Sequence, residues 1–562
     1  MQGLLKLFPF LKWFPMSGPQ IRRDLLTGLT VALVLIPQSM AYAQLAGMPA
    51  YYGLYAAFIP VILGALWGAS FHLAGGPSAL TALLITSTLI LYAPPGSPEY
   101  VQLAILLALL VGIIRLIVGF LRLTFIVNFL SQPVIRGFTN AASLIIASSQ
   151  ISKIFGLSMG RSDFYLRDIW QIILNLGNLH LPTLCIGLLS IGIIFLLKRY
   201  APKVPYALIT AIAATLIVYY LKLYAPAESG RAVEIVGKIP SGLPKFQLPA
   251  FGIIPLKDLI PGALLVMFIG FMEVCSVTKA ISIKSRQRID LNQEIIGQGI
   301  SAVAGSFFQC YPTSCSFSRS ALSYSTGGKT GLSHVFTGGF VVLTLLFLTR
   351  YLYYLPQAAL AAIIIMAVIG LVDFREMSEA WKVSAFDGVA SAVTFGATLF
   401  FAPNLVKGIL IGAGIALAFH LYRTMKPRAV ILGPHDDGTM RDANLHGLDT
   451  EDELPVMRFD GRLYFANAPY FEEMILKIRA DFPNARYLII HGSGINGIDA
   501  TGEALLRDLA IRCKDVNTPL VFTGLKHQIE NVMKRTGLDE IIGKENFFRT
   551  VKSALGELKN RC

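Results

Sequence analysis

Eleven apolar segments, each long enough or nearly long enough to cross a lipid bilayer as a helix, follow one another along most of the chain. A membrane-spanning helix needs roughly twenty mainly apolar residues. Three further apolar segments are shorter or interrupted, at 77–93, 292–307 and 313–326. Together they predict a polytopic α-helical membrane protein with about fourteen spans. The eleven longer segments are 25–46, 51–68, 101–121, 126–150, 182–198, 205–222, 257–280, 331–349, 355–372, 386–402 and 404–422.

The composition excludes an ordinary soluble protein. Hydrophobic residues make up 54% of the 562 residues and charged residues only 15%, whereas soluble domains average about 25% charged residues. A soluble protein of this length could not bury so many apolar side chains in its core. The chain is therefore predicted to be an integral membrane protein, in contact with membrane lipid.

The net charge of +14 does not indicate a nucleic-acid partner, because the basic residues form short clusters between apolar segments. Such clusters are typical of cytoplasmic loops. An even number of spans places both termini on one side, so residues 1–24 are expected to be a cytoplasmic N-terminal segment in a plasma or inner membrane. The clusters include Arg22-Arg23, Lys198-Arg199, Lys284 with Arg286 and Arg288, and Arg423 with Lys426 and Arg428.

The character of the sequence changes near residue 428, where charges become frequent and apolar runs shorten. Strand-length runs at 456–459, 487–490 and 520–523 alternate with helical patterns at 504–513 and 527–536. This alternation predicts a small α/β domain. The expected organisation is a transmembrane domain at 25–424 and a cytoplasmic domain at 428–562.

Two places in the membrane domain break its apolar pattern in the same way. Residues 73–79 contain Pro77 and residues 309–319 contain Pro312, each just before a short apolar run. Proline suits the first helical turn, so both are predicted to open half-helices inside the bilayer. Two buried helix N-termini that face each other would attract an anion. The alternative is a pair of proline-kinked helices that pack tightly.

Arg319 follows the second of these prolines inside a membrane segment, where a charge is costly and usually functional. Its guanidinium offers a full positive charge and several donors to an oxyanion. Ser314, Ser316 and Ser318 offer hydroxyls around the same turn. The alternatives are a structural ion pair for Arg319 and small-residue helix packing for the serines.

The first span contains Pro37, which is expected to kink or break the helix. Gln38 and Tyr42 are four residues apart and share one helix face, which would present an amide and a phenol to a cavity.

Glu273 is a lone carboxyl in an apolar run, VMFIGFMEVC at 266–275. A carboxyl in such surroundings is a natural proton carrier. The alternative is a salt bridge to Arg319 or Lys279.

Several of these stretches carry a family resemblance over nearly the whole chain. The chain resembles the SulP family, the sulfate permease and solute carrier 26 group of anion transporters. The C-terminal part resembles a STAS domain. The matching stretches are IPQSMAYA at 36–43, PAYYGLYAA at 49–57, GPSA at 76–79, QPVIRGF at 132–138, SFSRS at 316–320 and IDATG at 498–502.

The resemblance implies a seven-plus-seven inverted repeat, divided into a core and a gate domain and usually assembled as a homodimer. It implies elevator-type movement of the core against the gate. It also places Glu273 where proton-coupled members carry an acid. The substrate would lie between the third and tenth spans, against Gln38, Tyr42, Ser78, Ala79, Ser316, Phe317, Ser318 and Arg319.

In STAS domains that this one resembles, the hydroxyl before the loop glycine can be phosphorylated, which here is Thr501. The local alternative is helix capping by Asp499 or Thr501, and capping is the favoured interpretation for Thr501.

The sequence therefore predicts uptake of a small inorganic anion, sulfate first, with protons as the coupling ion and no cofactor. Ser314-Cys315 departs from the Gly-Ser or Ser-Ser of many sulfate members, which leaves the substrate open. The alternatives are sodium-coupled bicarbonate uptake, chloride–bicarbonate exchange, or a membrane-anchored STAS regulator without transport. An enzyme is not expected, because no Walker loop, metal-ligand cluster or nucleophile–base pattern is present.

Overall fold

The computed structural model describes residues 8–125, 131–157, 165–201, 204–225, 232–240 and 242–561. The chain divides into two compact units, Met1–Ala416 and Leu417–Cys562. The predicted domain boundary at 424–428 stays a prediction.

The described residues of the first unit form mainly helices, with two strands of two residues each, β1 (Gly75–Gly76) and β2 (Ser314–Cys315). Its helices before residue 230 are α1 (Gly18–Leu45), α2 (Tyr51–Ala56), α3 (Ile59–Trp67), α4 (Ala79–Leu89), α5 (Pro98–Phe120), α6 (Gln132–Ser149), α7 (Ile151–Phe155), α8 (Tyr165–Leu174), α9 (Leu181–Tyr200) and α10 (Tyr206–Tyr220). Its later helices are α11 (Leu256–Ser285), α12 (Leu291–Ser306), α13 (Phe317–Ser325), α14 (Leu332–Leu343), α15 (Thr349–Leu352), α16 (Gln357–Val368), α17 (Phe374–Val383), α18 (Ala385–Phe401) and α19 (Leu405–Met425), the last of which runs on into the second unit.

Seven helical stretches of the described residues are long and apolar enough to span a membrane, and four shorter apolar ones accompany them. Outer helices present large apolar side chains outwards: on α9, Leu188 is 55% exposed and Phe195 57% exposed. In water such a surface would be unfavourable, whereas a bilayer covers it. Most predicted spans match a helix or a pair of helices. Of the predicted span at 126–150, residues 126–130 lie outside the described residues.

Close packing of α18 against α19 depends on glycine. A Cβ at Gly412 would lie 1.9 Å from Thr394 Oγ1, and one at Gly408 would lie 2.6 Å from the Thr398 backbone. Both threonine hydroxyls donate to carbonyls one turn back, at 2.6 and 2.7 Å, so neither is left unpaired. Small residues of this kind let helix backbones approach closely in a bilayer.

Asp24 joins the beginning of the chain to a distant segment. Its buried carboxylate accepts hydrogen bonds from the backbone N–H groups of Lys329 and Thr330 and from the Thr330 hydroxyl, at 2.6, 3.3 and 2.6 Å. A buried carboxylate is tolerated when its acceptors are satisfied in this way. The contact ties α1 to the segment between α13 and α14.

The second unit contains a six-stranded sheet, whose strands lie in the order β4 (Met440–Asp442), β3 (Arg428–Pro434), β5 (Val456–Asp460), β6 (Leu488–His491), β7 (Leu520–Thr523) and β8 (Phe547–Phe548). The pairs β4-β3 and β3-β5 are antiparallel, and the remaining pairs are parallel. The helices of this unit are α20 (Ala443–His446), α21 (Ala468–Asp481), α22 (Ala500–Asp515), α23 (His527–Thr536), α24 (Leu538–Ile542) and α25 (Val551–Arg561). The three strands and two helices predicted from sequence, β5, β6, β7, α22 and α23, are confirmed. The sequence analysis did not predict the remaining elements, β3, β4, β8, α20, α21, α24 and α25.

The cap of α22 corrects one prediction. Asp499 is the N-cap residue, and its Oδ1 accepts from the Gly502 N–H at 2.8 Å while its Oδ2 accepts from the Phe465 N–H at 3.0 Å. Thr501 lies exposed within the first turn and does not cap the helix. The carboxylate reaches both donors because it belongs to the extended residue before the helix.

We predict that Gly412→Leu lowers the apparent melting temperature of the detergent-purified protein by several degrees, because the new side chain must displace Thr394 and overpacking costs about 1–3 kcal/mol. Gly414→Leu is the matched control, since a Cβ at Gly414 meets nothing within 4 Å. Equal melting temperatures for the two variants would contradict this packing.

We predict that Asp499→Ala speeds amide exchange at Gly502 and Phe465 about fivefold in the full-length protein, because loss of an N-cap costs about 1 kcal/mol. Hydrogen–deuterium exchange with mass spectrometry measures this change. Thr501→Ala is the control and should leave exchange in this turn unchanged. If Thr501→Ala has the larger effect, the capping assignment is wrong.

Candidate anion-binding site

The two interrupted segments of the sequence meet in the structure. Strands β1 and β2 pair antiparallel, with Gly75 opposite Cys315 and Gly76 opposite Ser314. The Ser316 N–H donates to the Ala74 carbonyl at 3.1 Å. Each strand leads into a short helix, so the N-termini of α4 and α13 begin beside the same strand pair.

Helix α4 begins at Ala79, with Ser78 as its N-cap. The Ser78 Oγ lies 3.4 Å from the Thr81 N–H that it caps. The prediction that Pro77 opens the helix is wrong, because Pro77 precedes the cap and continues the extended segment. Gly76 has φ +121°, a left-handed value that favours glycine, and a Cβ there would lie 3.6 Å from Arg319 Nη2.

Helix α13 begins at Phe317, and the side chain of its N-cap, Ser316, makes no capping hydrogen bond. Pro312 lies before β2, so the prediction that it opens this helix is also wrong: the chain pairs with β1 before it turns helical. The first N–H groups of a helix have no partner within the helix. Because no side chain caps α13, the N–H groups of its first turn can donate to another acceptor.

Arg319 links the two segments. Its side chain is fully buried, and Nη2 donates to the Pro77 carbonyl at 2.9 Å while Nη1 lies 3.5 Å from Gln38 Oε1. Its Nε has no hydrogen-bond partner among the described residues. The alternative of a structural ion pair is not observed in the described part of the chain, where no carboxylate lies within 4 Å of the guanidinium.

Helix α1 is the third helix that contributes residues to the candidate site, after α4 and α13. Gln38 and Tyr42 are both buried, and Tyr42 lies near enough to Arg319 to interact electrostatically. Helix α1 runs unbroken through Pro37, so a break there is not observed. Packing of neighbouring helices lets a membrane helix keep an internal proline.

Glu273 on α11 points to the start of α4. Its Oε2 accepts a hydrogen bond from the Ser78 hydroxyl at 3.0 Å, and its side chain is partly exposed. No salt bridge to Arg319 or Lys279 forms among the described residues. Ser78 therefore contacts both the helix N-terminus and the carboxyl group.

The remaining predicted residues occupy different positions. Ala79 is buried in the first turn of α4. Ser316 is partly exposed and Ser318 exposed, with their hydroxyls 3.1 Å apart. Phe317 is 53% exposed and has no contact with Arg319 among the hydrogen bonds and ring contacts of the described residues.

Two residues near this site were not predicted. Arg115, on α5, is fully buried and interacts electrostatically with Glu273. Tyr206, at the start of α10, interacts with Arg319 and Tyr42. Arg115 carries a sequence signal, a charge within an apolar span, whereas a tyrosine in a membrane helix carries none.

The site combines two helix N-termini, a buried guanidinium, an amide, hydroxyl groups and one carboxyl group. The first two favour negative charge, and the carboxyl group can hold or release one proton. The arrangement is suited to binding an anion and to linking that binding to a proton.

The comparison with family models gives two matches. Residues 21–394 match the model described as the sulfate permease family. Residues 448–554 match the STAS domain.

Similar proteins include sulfate transporter 4.1, chloroplastic, of Arabidopsis thaliana, which is 34% identical over 98% of this chain and 82% of that protein. High affinity sulfate transporter 2 of Stylosanthes hamata is 30% identical over 98% of this chain and 86% of that protein.

Two solved structures share the fold. The murine solute carrier 26 family member A9 anion transporter, in the inward-facing state, has a TM-score of 0.91 at 24% identity and covers 100% of this chain and 95% of that one. The transmembrane domain of a cyanobacterium bicarbonate transporter has a TM-score of 0.59 at 22% identity over 72% of this chain and 98% of that one. The family match, the STAS domain and the polytopic helical fold agree, and the chain belongs to the sulfate permease family.

Proposed function

We propose that the chain takes up a small inorganic anion by secondary active transport, with sulfate as the substrate and protons as the coupling ion. The anion binds between the N-termini of α4 and α13, against Arg319. Elevator-type movement of a core domain against a gate domain carries it across the membrane. The protein acts as a transporter and not as an enzyme.

The observation that carries this proposal is the meeting of two helix N-termini at β1 and β2 beside Arg319. Backbone N–H groups at a helix start bind oxyanions. A guanidinium adds charge and directed donors. The relatives named as sulfate transporters support sulfate over other oxyanions.

The membrane potential supplies the reason for coupling. Moving one charge against 100 mV costs about 2.3 kcal/mol, so entry of divalent sulfate into a negative interior costs about twice that. Protons that travel with sulfate cancel this cost. We propose Glu273 as the carrier of one of them, because the Ser78 hydroxyl contacts both its carboxyl group and the N-terminus of α4.

Two other functions are weaker. Bicarbonate transport is supported only by the similarity of the fold to that of the bicarbonate transporter. A membrane-anchored STAS regulator would not need Arg319, Gln38 and Glu273 inside the bilayer, where polar groups are costly.

The orientation and assembly belong to the proposal. The basic clusters favour a cytoplasmic N-terminus and a cytoplasmic STAS domain, and the family resemblance favours a homodimer. Thr501, exposed in the first turn of α22, is accessible to a kinase, and its phosphorylation remains a proposal.

We predict that proteoliposomes of the purified protein accumulate labelled sulfate when an inward proton gradient is imposed. Arg319→Ala should lower the initial rate about 30-fold or more, because removal of a buried charged contact costs 2 kcal/mol or more. Glu273→Gln should make sulfate flux independent of the gradient, since an amide cannot carry a proton.

Three results would change the proposal. Gradient dependence that survives Glu273→Gln would remove Glu273 as the carrier. Flux of bicarbonate or chloride without sulfate would replace the substrate. Absence of all anion flux would favour the anchored regulator.

We predict that Ser78→Ala weakens proton dependence as well as sulfate affinity, because the hydroxyl contacts both Glu273 and the N-terminus of α4. Ser87→Ala is the matched control on the same helix, since its hydroxyl only donates back to the Leu84 carbonyl at 3.0 Å. Sulfate uptake is measured with and without the gradient. Equal proton dependence in the two variants would show that Ser78 is not the connection.

A further inference from the structure

Arg115 is a second buried cation close to the site. It lies on α5 within an apolar span and is 1% exposed. Its Nη1 donates to the Thr313 carbonyl at 2.9 Å. Its Nε and Nη2 have no partner among the described residues. A buried guanidinium with two unused donor atoms is costly, which calls for a compensating role.

The surroundings of Arg115 place its charge beside Glu273. A Cβ at Gly270 would lie 2.8 Å from Arg115 Nη2, so the guanidinium packs directly on the backbone of α11. Glu273 is one turn further along that helix. The Ser314 hydroxyl donates to the Gly270 carbonyl at 3.0 Å, so β2 also contacts α11 at Gly270.

The two arginines hold the two halves of the site in the same manner. Arg115 binds the Thr313 carbonyl, just before β2 and α13, and Arg319 binds the Pro77 carbonyl, just before α4. Neither has a carboxylate within 4 Å among the described residues. Neither charge is therefore paired in a salt bridge near the helix N-termini in the described part of the chain.

The charges of the site depend on the state of Glu273. Two guanidinium groups and an ionised carboxylate sum to one positive charge, and protonation of the carboxyl group raises this to two. Glu294 is a further acidic group, whose carboxylate accepts hydrogen bonds from the N–H groups of Ala69 and Ser70, at 2.8 and 2.9 Å, and forms no ion pair with either arginine among the described residues. Two positive charges match one divalent anion.

We infer that Arg115 is a specificity-determining residue, whose buried charge makes the site prefer a divalent over a monovalent oxyanion. This inference rests on the proposed function, because it assigns a selectivity to the same site. Arg115 acts at a distance through its charge and by positioning β2. The Coulomb energy between a fixed charge and a ligand is proportional to the ligand charge. Loss of the Arg115 charge therefore costs a divalent anion twice the free energy that it costs a monovalent one.

The test compares sulfate with perchlorate, which is also a tetrahedral oxyanion with four oxygens but carries one charge fewer. The concentration of each anion that gives half-maximal thermal stabilisation is measured at constant ionic strength, in wild type and Arg115→Gln. If affinity for perchlorate falls about fourfold, affinity for sulfate should fall about sixteenfold, because the logarithm of the loss doubles with ligand charge. Arg115→Lys keeps the charge and should restore most of the wild-type ratio.

Two further variants serve as a control and as a substitute for Arg115→Gln. Arg350→Gln removes an exposed arginine and should leave the ratio of the two affinities unchanged, which controls for net charge. If Arg115→Gln is not recovered folded, Arg115→Met removes the charge with a side chain suited to an apolar span.

The outcomes are distinct. Equal losses for sulfate and perchlorate, or an unchanged ratio in Arg115→Gln, would overturn the inference and leave Arg115 as a structural tie to Thr313. If wild type shows neither sulfate stabilisation nor sulfate uptake, the proposed function fails, and the inference fails with it. Wild-type sulfate binding with a ratio that drops in Arg115→Gln and returns in Arg115→Lys supports both.

Discussion

The antiparallel pairing of β1 with β2 positions the groups that would contact an anion. Each strand has only two residues, yet the pairing matters because irregular backbone within a bilayer must find partners inside the protein. The pairing satisfies part of that demand and brings two helix starts together. The Ser320 hydroxyl, which accepts from the Ala74 N–H at 2.8 Å, adds a side-chain contact to the same junction.

The second constraint is the buried charge of the two arginines, which contact the segments that the pairing of β1 with β2 brings together. Arg115 and Arg319 each donate to a carbonyl of a segment that leads into a short helix. A carbonyl neutralises little of a guanidinium charge, so the protein without a ligand bears much of the desolvation cost. In the proposed function, an anion that enters the site would offset this cost. Glu273 would offset part of it when ionised, and competition between carboxylate and anion is the physical basis of the coupling proposed above.

The membrane fold and the STAS domain could be predicted from the sequence because they have local signals, and so could the charged residues proposed for the site. Arg319 and Glu273 stand out as charges in apolar runs, and the same rule applied to 101–121 would have found Arg115. Pairing of Gly75 with Cys315 has no local signal, since two residues show no periodicity. The capping residue of α22 was uncertain because Asp499 and Thr501 are both good caps, and only the backbone conformation distinguishes them.

The separation of contacting residues along the chain has a consequence for biosynthesis. Arg319 reaches Pro77 across 242 residues, and Asp24 reaches Lys329 across 305. A ribosome must therefore complete more than half of the protein before either contact can form. Until then the nascent N-terminal half holds Arg115 and the Gly75–Pro77 backbone in the membrane without their final partners. That half-made intermediate carries a guanidinium and backbone groups whose partners have not yet been synthesised, and incompletely folded intermediates are prone to misfolding.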